Sequence, residues 1–197
     1  ARGEVARAIF NLSNAAAEAR RYGGHEIPLD MDAGVYEYQT TSADGAPLDL
    51  ATADFEQLSS IRQRVGIARR YPIGPILAIA PFNFPLNLVL HKVAPALAVG
   101  NSVVLKPAPQ TPLTSLLLAE VLTEAGLPKG ALSVVHCSVP LAEQMVKDDR
   151  FAMVTFTGSA KVGWHIKAIA GKKKVALELG GNAAVIVCAD ADLDLAA

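Results

Sequence analysis

From Ile73 onward, apolar runs of strand length alternate with longer amphipathic stretches, and this alternation limits what the chain can fold into more than any other feature. Residues 76–80, 103–105, 133–135, 154–156, 175–179 and 184–187 read as strands. Helical patterns over 86–99, 112–125, 141–146 and 160–170 separate the first five. A strand followed each time by a helix-length crossover is the signature of a parallel sheet covered by helices on both faces. The punctuation agrees: Gly100-Asn101, Gly126-Leu127-Pro128 and Gly171 stand just past three of the helical patterns, where a left-handed cap or a helix stop is expected. The expected class is α/β, an open parallel sheet.

Residues 1–72 are organised differently from residues 73–197, and we divide the chain there. Val5, Ile9, Leu12, Ala16 and Ala19 recur at helical spacing, and Gly23-Gly24 closes that helix. Residues 25–29 form a short extended run. Residues 35–40 alternate like a half-exposed strand, and Asp44-Gly45 supplies a hairpin-type turn. No internal repeat or low-complexity tract is present. The chain opens on Ala1 rather than Met, directly into a helical pattern, and closes on residues 192–197, which read as the first turns of a helix. It is therefore expected to be a piece of a longer polypeptide.

Net charge is −1, from 18 basic and 19 acidic residues, so no field for nucleic acid is present. With 51% hydrophobic residues over 197, the chain can bury a real core. Its longest apolar stretches are too short to span a bilayer, no signal segment opens it, and a cytoplasmic setting without membrane contact is the expectation. Cys137 and Cys188 are far apart and lack companions at metal-ligand spacing, so no metal site is expected. Both read as small core residues in reducing surroundings.

Four places carry chemistry. Glu178 is the single carboxylate in the apolar run 175–179, just before Gly180-Gly181. An ionised Glu in a buried strand is costly unless it is paired or used as a base, so it is either a general base or a strand-end Glu satisfied by the amides of the glycine turn. Asn83 lies between Phe82 and Phe84, with Pro81 and Pro85 fixing the backbone; it is either a donor to a developing oxyanion or the residue that initiates the following helix. Thr157-Gly158-Ser159 stands at a strand-to-helix junction, where free backbone N–H groups suit a pyrophosphate, or where Ser159 is an ordinary N-cap. Lys106 ends the run 103–105, either as a cation at the carboxyl end of a strand or as a surface lysine beginning a loop. The glycine fingerprint G-x-G-x-x-G is absent. Gly158 to Gly163 mimics P-loop spacing but fails where Lys-Ser/Thr should follow, since Trp164 and His165 stand there. His91, His165 and Lys172-Lys173-Lys174 read as helix-surface or solvated groups. His136 and Cys137, adjacent at a strand end, point in different directions and read as packing and loop residues.

Taken together in this order, Pro81-Phe82-Asn83-Phe84-Pro85, Lys106-Pro107-Ala108, Phe156-Thr157-Gly158-Ser159 and Val175 to Asn182 resemble the NAD(P)-dependent aldehyde dehydrogenase superfamily, over its amino-terminal, cofactor-binding portion. The resemblance implies a Rossmann-like sheet over 73–197. It also implies a helix with oligomerisation-type strands over 1–72, and a homodimer or homotetramer for the full-length protein. Residues 40–63 match no pattern of the family and read as an insertion. The implied cofactor is NAD or NADP. Contact with it carries over to Ala80, Pro81, Phe82 and Asn83, to Lys106 and Pro109 near the adenosine ribose, to Gly158, Ser159 and Val162 near the pyrophosphate, and to Glu178, Leu179 and Gly180. The implied catalytic residues are Asn83 as oxyanion donor and Glu178 as base.

The implied reaction is oxidation of a small aldehyde to a carboxylic acid: thiolate attack, hydride transfer, then release of the acid from a thioester by base-activated water. Neither Cys137 nor Cys188 aligns with the family's nucleophile, which is expected beyond Ala197, so the chain alone is expected to be inactive. Pro109 stands where NAD-using members commonly carry a glutamate for the ribose hydroxyls, which leaves NADP open. His136 to Pro140 departs from a glycine-containing loop near the adenine. A CoA-acylating relative and an inactive nucleotide-binding relative are the alternatives, and retention of Glu178 argues for hydrolysis. Residues 172–184 look most like members acting on small polar aldehydes.

Overall fold

The computed structural model describes residues 2–21, 25–28 and 65–196. The chain divides into two units, residues 18–71 and residues 1–17 with 72–197. In the first, β1 (His25–Pro28) pairs antiparallel with β2 (Val65–Ala68), His25 opposite Ala68. The extended run at 25–29 thus finds a partner that was not evident in sequence, since Val65-Gly66-Ile67-Ala68 is four residues long and contains a glycine. The expected strand at 35–40, the turn at Asp44-Gly45 and the insertion at 40–63 lie outside the described residues.

The second unit is an open parallel sheet. Its strands are β3 (Ile76–Ile79), β4 (Val103–Lys106), β5 (Leu132–Val134), β6 (Met153–Thr157) and β7 (Lys174–Glu178), in the order β5-β4-β3-β6-β7. Four helices make the crossovers: α2 (Asn87–Ala98), α3 (Pro112–Glu124), α4 (Val139–Lys147) and α5 (Ala160–Ile169). The long first helix is α1 (Arg2–Arg21), and a single turn, α6 (Leu193–Ala196), stands near the end.

Strand alternation sorts the core onto two faces. Ile76, Ala78, Val103 and Leu105 pack with Val89, Leu90 and Val93 of α2, Leu118 of α3 and Ala8 of α1. Leu77, Val154 and Phe156 point the other way and pack with Val146 of α4 and Ile166 of α5. Each face removes a whole apolar layer from water, the dominant favourable contribution to such a fold. Gly100, Gly126 and Gly171 have φ of 83°, 91° and 64°, the left-handed conformation that ends α2, α3 and α5 where the spacing placed it.

Three expectations are corrected. Residues 184–187 form no strand: no neighbour supplies a ladder among the described residues, and Val185 and Ile186 are exposed. Cys188 in the same stretch is exposed and Cys137 half-buried, so neither is a fully buried core residue. Lys173 is not solvated. Its side chain is 6% exposed, and its ammonium donates to the carbonyls of Lys147 and Ala170 at the ends of α4 and α5 and to Asp149. His165 does lie on the surface, paired with Glu143 at 2.9 Å.

Candidate functional site

Chain order and strand order part company between β3 and β6. From β3 the chain winds outward through β4 to β5, then returns to place β6 on the other side of β3. The carboxyl ends of β3 and β6 therefore diverge into helices on opposite faces and leave a crevice, the place where open α/β sheets take ligands. Four sequence-predicted segments reach this one edge: residues 80–83 after β3, Lys106 at the end of β4, residues 157–159 at the end of β6, and Glu178 at the end of β7. The edge is held level by backbone bonds from Ala80 N–H to the Lys106 carbonyl, 3.1 Å, and from Gly158 N–H to the Glu178 carbonyl, 3.0 Å.

The structure bears on several of these alternatives. Asn83 does not initiate the following helix: α2 begins at Asn87, and its N-cap position is Leu86. Asn83 and Phe82 are both exposed on the loop above the sheet. Lys106 is not a surface lysine. It is 6% exposed, and among the described residues its ammonium reaches only the Pro107 carbonyl, at 3.4 Å. Ser159 is the N-cap residue of α5, but its hydroxyl makes no cap hydrogen bond. Glu178 is exposed at the end of an edge strand rather than buried inside one, so the burial cost that first singled it out does not apply. Among the described residues its carboxylate takes no hydrogen bond from the Gly180-Gly181 amides.

Glycine permits a close side-chain approach at two positions. A Cβ at Gly158 would stand 2.5 Å from the Phe156 ring, and one at Gly163 would stand 2.3 Å from Leu179. Leu179 thereby packs on α5 directly after Glu178. Val162 is exposed on the first turn of α5, Gly180 is exposed past β7, and Pro109 is exposed in the turn before α3.

One site residue was missed by sequence reasoning. Lys92, on α2, is 6% exposed and donates to the hydroxyls of Thr155, 3.2 Å, and Thr157, 2.7 Å. Burial pushes its pKa down to about 8, partly offset by the charge of Glu178. Thr157 is the ladder partner of Glu178, so Lys92, Thr157 and Glu178 converge at one corner. The signal was present: position 92 stands at helical spacing from the buried 89, 93 and 96 of α2, and a lysine on such a face calls for a partner.

The residues present suit a dinucleotide. Among the described residues the hydroxyl oxygens of Thr111 and Ser115, around the start of α3, are buried without a hydrogen-bond partner, and Lys106 is a buried cation with one weak acceptor. Gly158 and the uncommitted Ser159 hydroxyl add the start of a ten-residue helix at the crevice, an environment that favours a phosphate. Among the described residues no group of three or more metal-ligating side chains assembles, and no helix is long and apolar enough to cross a membrane.

Comparison with known proteins gives a single answer. The family model described as "Aldehyde dehydrogenase family" matches residues 1–197. The chain is 44% identical over 197 residues to 3-sulfolactaldehyde dehydrogenase of Priestia megaterium, covering all of this chain and 36% of that protein. Among solved structures it is similar to aldehyde dehydrogenase 21 from Physcomitrella patens in complex with the reaction product succinate, with TM-score 0.74 and 44% identity over 92% of this chain and 33% of that one. It is also similar to NADP-dependent glyceraldehyde-3-phosphate dehydrogenase from Bacillus halodurans complexed with NADP, with TM-score 0.77 and 34% identity over 98% and 36% of the two chains. The chain thus spans about a third of the length of the relatives it matches.

Proposed function

Because this chain belongs to the aldehyde dehydrogenase family, we propose that it forms the cofactor-binding part of an enzyme that oxidises a small polar aldehyde to a carboxylic acid. The single observation that carries this is the meeting of Asn83, Lys106, Thr157-Gly158-Ser159 and Glu178 at the carboxyl edge around the β3/β6 switch point. NAD or NADP, when bound, supplies the hydride acceptor. Lys106 would hold the ribose end, and the start of α5 with the Ser159 hydroxyl would hold the pyrophosphate. The Asn83 amide would donate to the oxyanion that forms on the aldehyde oxygen, a contribution of about 3 kcal/mol for one such donor. Glu178, exposed at the strand end, would take a proton from the water that hydrolyses the acyl intermediate. The nucleophile is assigned to residues outside the 197. The substrate class follows the run at 172–184 and the likeness to a protein named for 3-sulfolactaldehyde.

The test is aldehyde-dependent reduction of NAD and NADP by the full-length protein and its Glu178→Gln variant. Glu178→Gln is expected to keep a first-turnover burst and lose about 10²–10⁴ in steady-state rate. Unchanged steady-state turnover would overturn the assignment.

A further inference from the structure

Helix α2 starts four residues after Asn83, yet it lacks a cap of its own. Leu86 occupies the N-cap position and has no side-chain acceptor. Free N–H groups at a helix start need one. It comes from the opposite end of the unit in sequence: Oε1 of Glu4, on α1, accepts the Leu86 N–H at 2.9 Å and the Asn87 N–H at 3.1 Å. A carboxylate at that point also faces the positive end of the α2 dipole. Two further contacts from α1 fall on the same segment. Asn11 Nδ2 donates to Asn87 Oδ1 at 2.9 Å, and the Arg7 guanidinium lies 5.8 Å from the centre of the Phe84 ring.

The Asn83 side chain makes no hydrogen bond among the described residues, so its place depends on its backbone. That backbone is fixed on one side by β3 and Pro81, and on the other by Phe84, Pro85 and the capped start at Leu86-Asn87. We propose that Glu4 is a positioning residue for Asn83, with α1 serving as the clamp that holds the oxyanion-donor loop over the sheet edge. The oxyanion role of Asn83 is its premise. A donor must lie within about 3 Å of the developing oxyanion, so a loop released by a fraction of an ångström loses transition-state stabilisation while the cofactor contacts on β4 and β6 stay in place.

The experiment compares Glu4→Ala, Glu4→Gln, Asn83→Ala and the double variant Glu4→Ala/Asn83→Ala in the full-length enzyme. Glu4→Ala is expected to lower kcat about tenfold with little change in KM for the dinucleotide. Glu4→Gln, which keeps an acceptor oxygen, is expected to recover most of that loss. In the Asn83→Ala background, Glu4→Ala is expected to cost less than about twofold, because the donor it positions is gone. An equal loss in both backgrounds would show that Glu4 supports the fold generally and would overturn the proposal. Should Glu4→Ala not fold, Glu4→Gln carries the same comparison between backgrounds, with a smaller loss. Wild-type kcat in Asn83→Ala sinks the oxyanion role and this proposal with it. Wild-type kcat in Glu4→Ala beside a crippled Asn83→Ala sinks this proposal alone.

Discussion

The Lys92 ammonium donates a 2.7 Å hydrogen bond to the hydroxyl of Thr157, one ladder step from Glu178. A buried lysine is thereby anchored beside the proposed base. Its pKa is pushed down to about 8, first by burial, with the charge of Glu178 acting in the opposite direction. In the unfolded chain the same group titrates at 10.5. Between those values the unfolded state binds more protons than the folded state, so stability rises with pH. The cost of burying the charge, on the order of 3 kcal/mol from the size of the shift, is fully present below about pH 8. It is relieved as pH rises towards 10.5. Denaturation midpoints of the wild type, referenced to Lys92→Met, are expected to climb across that window. A flat difference would show that Lys92 is not desolvated.

Glu178→Gln removes the charge that raises the Lys92 pKa, so the Lys92 ammonium is expected to titrate lower still in that variant. Following Lys92 by amine-selective labelling against pH, or by its side-chain nitrogen resonance, reads this without any turnover. An unmoved titration would mean that Glu178 and Lys92 do not share a corner.

Gly158→Ala is expected to destabilise the protein by about 1–3 kcal/mol, as overpacking does, because its Cβ would meet the Phe156 ring at 2.5 Å. Phe156 is buried in one cluster with Leu77, Val154 and Ile166, so a shift of its ring disturbs that packing. Since the same shift displaces the start of α5, dinucleotide affinity is expected to fall with it. Wild-type stability together with wild-type affinity would count against both the packing and the phosphate role.

How far the sequence carried this picture depends on the kind of signal each residue gives. The parallel sheet was legible because continuous apolar runs and helix-length gaps are local patterns, and five of the expected strands form. Residues 184–187 show the limit of that logic: an apolar run does not make a strand without a neighbour to pair with. Glu178 was singled out for a burial it does not have, although its position at the strand end stands. Lys92 was passed over because lysines are usually surface residues, and only its register on the α2 stripe distinguished it. Glu4 could not have been found at all, since its bond to Leu86 spans 82 positions and no local pattern encodes it.

Cofactor selectivity is expected to be modest, or to favour NADP relative to members with a carboxylate at the place of Pro109. Lys106 is buried at the end of β4, among the described residues with only the Pro107 carbonyl near its ammonium, and Pro109 offers no charge to repel a 2′-phosphate. Specificity constants for NAD and NADP on one aldehyde decide this. A preference for NAD on the order of a thousandfold, about 4 kcal/mol, would mean that some other group supplies the missing carboxylate.

The 197-residue chain by itself is expected to oxidise no aldehyde, because neither of its cysteines can work with Glu178. Cys137 follows β5, while Glu178 ends β7, and these strands are the two opposite edges of the sheet. Four strand spacings separate them, about 19 Å at about 4.8 Å each, too far for a water activated by Glu178 to reach an acyl group on Cys137. Cys188 is exposed on a stretch outside the sheet, without the fixed backbone that a nucleophile sharing an oxyanion with Asn83 would need. Expressing residues 1–197 and assaying with NAD, NADP and several small polar aldehydes measures this directly. Dinucleotide binding without turnover is the expected result. Turnover that persists in this chain and disappears in Cys137→Ala or Cys188→Ala would place the nucleophile inside it, and the roles of Asn83 and Glu178 would have to be assigned around that cysteine instead.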